Sequence, residues 1–209
     1  MKFKRIIDLC KREETLYLYN TADGTQWISD GGSMFPLYYA AELSIDSICQ
    51  MFDITDTKRD KMYTAHYPML PESLNCADVI PGERVCEPFG IKIQYRGKPA
   101  AAYRTSTGVC FIDERYLAPF ADEEKIMTEL YERHTPSGMT YFAVKKGLVL
   151  RGIILPLKIN SEDFVKELEL LSVLCRIEYD NRLNTDIGAD NRISLAPSPS
   201  TPKEADEDD

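Results

Sequence analysis

The sequence predicts an α+β protein: antiparallel sheets with helices packed against them, followed by a disordered acidic C-terminal tail. Three observations carry this. Residues 108–159 hold the strongest strand signals: aromatic and β-branched Tyr141 to Val144, the polar turn Lys145-Lys146-Gly147 and the almost wholly apolar run Leu148 to Leu155 read as a hairpin. Residues 161–179 place Phe164, Leu168, Leu171 and Cys175 at helical spacing, behind Ser161 as N-cap and with Glu162 and Asp163 in the first turn, where the helix dipole favours acids. From Thr185 onward hydrophobic residues thin out, and Pro197-Ser198-Pro199-Ser200-Thr201-Pro202 with the terminal EADEDD cannot offset the entropy of ordering.

The elements follow in order. Residues 2–12 predict a short amphipathic helix, with Phe3, Ile6, Ile7 and Cys10 at helical spacing and Lys2, Lys4, Arg5, Lys11 and Arg12 elsewhere on its surface. Residues 15–20 and 25–29, joined at Asp23-Gly24, read as a hairpin; Asp30-Gly31-Gly32 turns the chain into a third strand, residues 33–38, where Pro36 predicts an edge position. Residues 41–52 predict a helix whose start Ser44 and Ser47 leave open, and a polar connection with Lys58, Arg59 and Lys61 leads to a strand over 61–67. Prolines at 68, 71, 81 and 88 exclude a long regular element, so residues 68–88 read as a linker between a first half, 1–67, and a second, 89–184, with 185–209 as the tail.

The second half offers strands at 91–95, 100–105 and 109–112, a helical segment at 115–120, a helix over 122–133 carrying Ile126, Met127 and Leu130, and then the main hairpin. This order loosely repeats the first half and suggests an internal duplication. The consecutive aliphatics Ile153-Ile154-Leu155 require cover on both faces, from the chain itself or from another subunit, which marks Leu148, Leu150, Ile153 and Leu155 as a candidate oligomer interface.

A chain of 209 residues with 44% hydrophobic and 28% charged residues suits one compact unit plus a tail. The net charge is −9, much of it in the tail, and the remainder is too mild to exclude nucleic acid, because local patches steer binding. No stretch approaches the roughly 20 apolar residues of a membrane span, and the first residues lack a signal-peptide core, so a cytoplasmic protein is expected. Cysteines 10, 49, 76, 86, 110 and 175 form no CxxC pair and read as small buried hydrophobes; neither a metal nor a cofactor is expected. His66 and His134 have no diagnostic nucleophile motif beside them, and Asp30-Gly31-Gly32 lacks the Walker lysine, so the reading leans away from an enzyme, a small cysteine-dependent one ranking third. What remains is charge asymmetry. Lys2, Lys4, Arg5, Lys11, Arg12, Lys58, Arg59 and Lys61 together suit contact with phosphates without base readout, and the acidic tail would occupy that patch or aid solubility.

Phe111-Ile112-Asp113-Glu114-Arg115-Tyr116-Leu117, followed by a helical segment, a hairpin and Ile153-Ile154-Leu155-Pro156-Leu157-Lys158-Ile159, resembles the closing part of bacterial DNA sliding clamps. There a strand runs into a "YL" at a helix start, and the last strand ends in an apolar-Pro-apolar-basic pattern. The resemblance covers about a quarter of the chain. It implies a clamp-like, non-enzymatic homo-oligomer around double-stranded DNA that holds a polymerase, a processivity factor of a phage or mobile element. The rival reading is a protein-interaction module, such as a phage-encoded inhibitor of a host factor, using an apolar strand edge and acidic surfaces.

Overall fold

The computed structural model describes residues 2–38, 42–121, 128–159 and 162–193, in two compact units, Met1–Ile159 and Asn160–Asp209. The first unit opens with α1 (Phe3–Arg12), which buries Ile6, Ile7, Leu9 and Cys10 and ends with Lys11 and Arg12 against the negative pole of its dipole. Glu14, at φ 50°, breaks the helix and delivers the chain into the meander β1 (Thr15–Asn20), β2 (Gln26–Ser29) and β3 (Ser33–Leu37). α2 (Ile45–Met51) starts later than the periodicity suggests, because Ser44 and Ser47 form a reciprocal capping box. α3 (Asp56–Arg59) then leads to β4 (Tyr63–Tyr67). This helical crossover lets β4 pair with β1 in parallel, so the main sheet is mixed where antiparallel sheets are expected from the sequence.

Beyond the proline-rich stretch come β5 (Arg84–Val85), the smaller antiparallel sheet of β6 (Glu87–Tyr95), β7 (Lys98–Thr105) and β8 (Gly108–Asp113), and a 3-10 helix over Glu114–Phe120. β9 (Thr128–His134), β10 (Thr140–Lys146) and β11 (Val149–Ile154) complete the large sheet, whose order is β4-β1-β2-β3-β11-β10-β9-β5. Strands from both sides of residues 68–83 therefore share one sheet. The helix expected over 122–133 is corrected: residues 122–127 lie outside the described residues, and Thr128–His134 is a strand. Its buried Glu132 and Arg133 are satisfied by Ser106, in the β7–β8 turn, and by Glu83, just before β5, so no apolar alternation betrays it.

The edge position expected from Pro36 is also corrected. β3 lies between β2 and β11, but its pairing with β11 is confined to Ser33 and Met34, and Pro36 sits past the end of that ladder. β11 is flanked by β10 and β3, with Ile154 in the core on one face of the sheet and Ile153 and Leu150 in the core on the other. The chain itself thus supplies the cover that Ile153-Ile154-Leu155 requires.

The central strand order reads the same from either end. α1 followed by β1-β2-β3 and the 3-10 helix followed by β9-β10-β11 are two copies of one plan, meeting antiparallel where Met34 pairs with Ile153 and Ser33 with Ile154. The two helices are antiparallel as well. Lys2 N donates to Pro119 O (2.9 Å) and Arg5 Nη1 to Ala118 O (2.6 Å) at one end, and Arg115 Nη2 lies 3.3 Å from Glu13 Oε1 at the other. This symmetry relates residues 3–37 to residues 114–154 and leaves out β6, β7 and β8, the strands that the residue pattern matches to the first half.

In the second unit α4 (Glu162–Ile193) runs on past Thr185, the expected onset of disorder; residues 194–209 lie outside the described residues. Among the described residues no helix is long and apolar enough to cross a membrane.

Candidate functional site

Two surfaces of the first unit carry functional potential. On the helical face, Lys2, Lys4 and Arg12 of α1 and Lys58 and Lys61 around α3 are exposed. The other three basic residues singled out in the sequence serve the fold: Arg5 donates to Ala118 O, Lys11 Nζ to Phe52 O (2.7 Å), and Arg59 pairs with Asp46 (2.6 Å). The bond from Lys11, the edge-on contact of Phe3 with Phe52 (4.9 Å) and the donation of Tyr63 N to Glu14 O (2.8 Å) bring α1 alongside the α2–α3 segment. The two basic groups are therefore neighbours, interspersed with exposed Asp8, Asp53, Asp56 and Asp60.

Of the four candidate interface residues, Leu150 and Ile153 are wholly buried in the unit's own core, Leu155 is half-buried, and Leu148 is 73% exposed at the tip of the β10–β11 turn. Leu150 and Ile153 are covered within the unit and present no exposed surface to a neighbouring copy.

The opposite face of the sheet holds a mainly apolar cavity of about 530 Å³. Its floor is Tyr17, Tyr19, Met34, Tyr141 and Ile153, from β1, β3, β10 and β11; its walls are Pro71 and Leu74 from the proline-rich stretch and Leu155 and Pro156 from the exit of β11. Tyrosines continue the surface to the sheet edge: Tyr67 stacks on Tyr19 (5.1 Å between ring centres), and Tyr17 meets Tyr63 and Tyr67 edge-on at 5.7 and 5.8 Å. Tyr63 remains 61% exposed. An apolar recess bordered by phenol rings suits large hydrophobic anchors of another polypeptide.

The stretch that walls this cavity is pinned by buried charge. Arg133, on β9, donates from Nη1 to Asn75 O (2.9 Å) and Ala77 O (2.8 Å), and from Nε and Nη2 to Glu83 Oε2 (3.0 and 2.7 Å). Lys145 Nζ holds the other oxygen of Glu83. Burial alone pushes the Glu83 carboxyl upward, but Lys145 and Arg133 outweigh it and hold the group below the usual carboxylate range. Asp78 Oδ1 accepts from Leu150 N (2.8 Å), and Asn75 N donates to Tyr141 Oη (2.9 Å).

Comparison with protein-family models, with curated proteins and with solved structures returns no match.

Burial pushes the thiols of Cys10 and Cys86 up, the latter to about 12, so neither offers a thiolate near neutrality. His134 Nε2 lies 3.1 Å from Glu132 Oε1, the atom to which Ser106 Oγ donates at 2.6 Å. Hydroxyl and imidazole thus share a carboxylate and do not form a nucleophile–base pair. Among the described residues no cluster of three or more His, Cys, Asp or Glu is arranged to hold a metal ion. His134 ends a strand, in correction of the helix end expected from the sequence, and His66 lies exposed on β4. Neither the cavity nor the charged anchor is singled out by the sequence reading; the usable signals are the alternating tyrosines of β1 and β4 and the leucines at 70 and 74.

Proposed function

We propose that the protein is a non-enzymatic, clamp-like protein that associates with double-stranded DNA through its helical face and with a partner such as a polymerase through the cavity on the other face. The observation that carries the reading is the doubled helix-and-meander plan, with antiparallel helices on one side of a continuous sheet and a docking recess on the other. Lys2, Lys4, Arg12, Lys58 and Lys61 supply charge for phosphates and no base-reading geometry, which suits a protein that holds DNA without choosing a sequence.

The test is DNA association measured against salt, with the mass in solution determined with and without DNA. If all five exposed cations meet phosphates, log K falls with log[salt] at a slope of about −4.5 for duplex DNA, and Lys4→Glu with Arg12→Glu flattens it by about 2. A salt-independent signal, or a monomer in both conditions, overturns the clamp reading. The second reading, a protein-interaction module, rests on the tyrosine-bordered cavity alone and needs no DNA.

A further inference from the structure

Building on the reading of the outer-face cavity as a docking site, we propose that residues 68–83 are a latched lid over it, with Leu70 and Leu74 as plugs and the Arg133–Glu83–Lys145 cluster as the latch. The stretch contains no helix or strand. Its outward side exposes Met69 (59%) and Val79 (54%), while Leu70, Leu74 and Cys76 pack beneath against the cluster that includes Tyr19, Trp27 and Tyr141.

Its attachments are uneven. Residues 75–83 are gripped by Arg133, by the acceptance of Leu150 N at Asp78 and by Tyr141. Residues 68–74 are tied by an internal turn, Leu74 N to Pro71 O (3.0 Å), and to the sheet by the apolar contacts of Leu70 and Leu74. Segments held by a few apolar contacts and no ladder open at far lower free energy than the strands beneath them. Pro68 and Pro71 stiffen the stretch, so it lifts as a flap. Lifting vacates the seats of Leu70 and Leu74 and lengthens the cavity toward Trp27. The result is a groove long enough for an extended polypeptide carrying two apolar side chains.

The latch has a single weak member. The side chains of Glu83, Arg133 and Lys145 are 8%, 1% and 3% exposed, so one carboxylate separates two buried cations. Without its charge, Arg133 and Lys145 repel in a low-dielectric setting, and Arg133 withdraws from the carbonyls of Asn75 and Ala77.

Amide hydrogen exchange on the full chain, with N-ethylmaleimide labelling of the native Cys76, tests this. Glu83→Gln should speed exchange in residues 69–83 and Cys76 labelling by at least about tenfold, while β10, β11 and Cys10 keep wild-type protection. Asp78→Ala, which leaves the ion cluster intact, should produce a smaller rise in the same residues. Wild-type protection in both variants, or a loss spread evenly over the sheet, overturns the lid. Anilinonaphthalene sulfonate fluorescence reads the cavity separately. Faster lid exchange with unchanged dye binding upholds the lid and removes the docking reading; dye binding to a lid that never exchanges does the reverse.

Discussion

Gly32→Ala isolates the contact that seats the 3-10 helix on the sheet. Gly32 has no left-handed φ, so alanine by itself would stabilise the fold by roughly 0.4–1 kcal/mol through the unfolded chain. A Cβ here, however, would overlap Tyr116 Oη and lie 2.9 Å from Cζ. Tyr116 is 3% exposed and packed in the main core, so the ring has no open space to enter. Overpacking of this kind costs about 1–3 kcal/mol, and overlap with both the phenol oxygen and Cζ places it at the upper end, for a net loss of about 2 kcal/mol. Urea denaturation followed by the fluorescence of Trp27, the single tryptophan and 4% exposed, measures it. Tyr116→Phe removes the overlapping oxygen and leaves Cζ, so the cost of Gly32→Ala should shrink by about 1 kcal/mol in that background. A Gly32→Ala protein as stable as the wild type, or additivity in the double variant, refutes the argument. The contact matters for the cavity too, because Gly32 O accepts from Leu155 N (2.9 Å), at the start of the segment that walls it.

Two buried carboxyls should leave opposite marks on stability against pH. Glu83 titrates below its unfolded value, so its contribution is complete above the ordinary glutamate range and fades as pH falls through the folded value; Glu83→Gln should flatten that acid limb in urea titrations. Burial, against the donors Ser33 and Gly32, raises Asp30, so stability should decline as pH climbs from the ordinary aspartate value through the raised one, and Asp30→Asn should abolish that decline. Leu150→Ala should cost about 2–5 kcal/mol in urea unfolding, and Leu148→Ala less than about 0.5, the reverse of what an interface across both residues requires.

The parts of this fold that announce themselves in sequence are those set by neighbours. The β1–β2 turn needs Gly24 at φ 81°, and the turn before β3 needs Gly31 at φ 87°, so Asp23-Gly24 and Asp30-Gly31-Gly32 mark both corners of the first meander. β4 shows no such mark for its parallel pairing, because register with β1 depends on the α2–α3 crossover. The lid latch is less legible still. Arg133 and Lys145 meet Glu83 across 50 and 62 residues, and in the sequence each reads as an ordinary surface charge. The cavity draws on strands of both sheets, a connecting stretch and a strand exit, an assembly no local pattern encodes.

The doubled plan also fixes what a clamp-like function demands of assembly. α1 presents Lys4 and Arg12 to solvent, but its counterpart, the 3-10 helix, offers no matching charge: Arg115 is committed to Asp113 and Glu13, and Glu114 holds Lys92 at 2.5 Å. On the clamp reading a single copy would touch phosphates from one half of its helical layer, next to exposed acids, and such a contact is weak and readily screened. Retention on DNA by this surface requires several copies to surround the duplex, each adding its small share, so the strength of binding must track the oligomeric state. Since β3 and β11 are paired internally, the margins that the large sheet offers a neighbouring copy are β4 on one side and the stretch of β9 beyond two-residue β5 on the other. A proline placed mid-strand in β4 should then abolish assembly and DNA retention together while the core around Leu150 persists; loss of either one without the other separates the two properties and removes the physical basis for a ring.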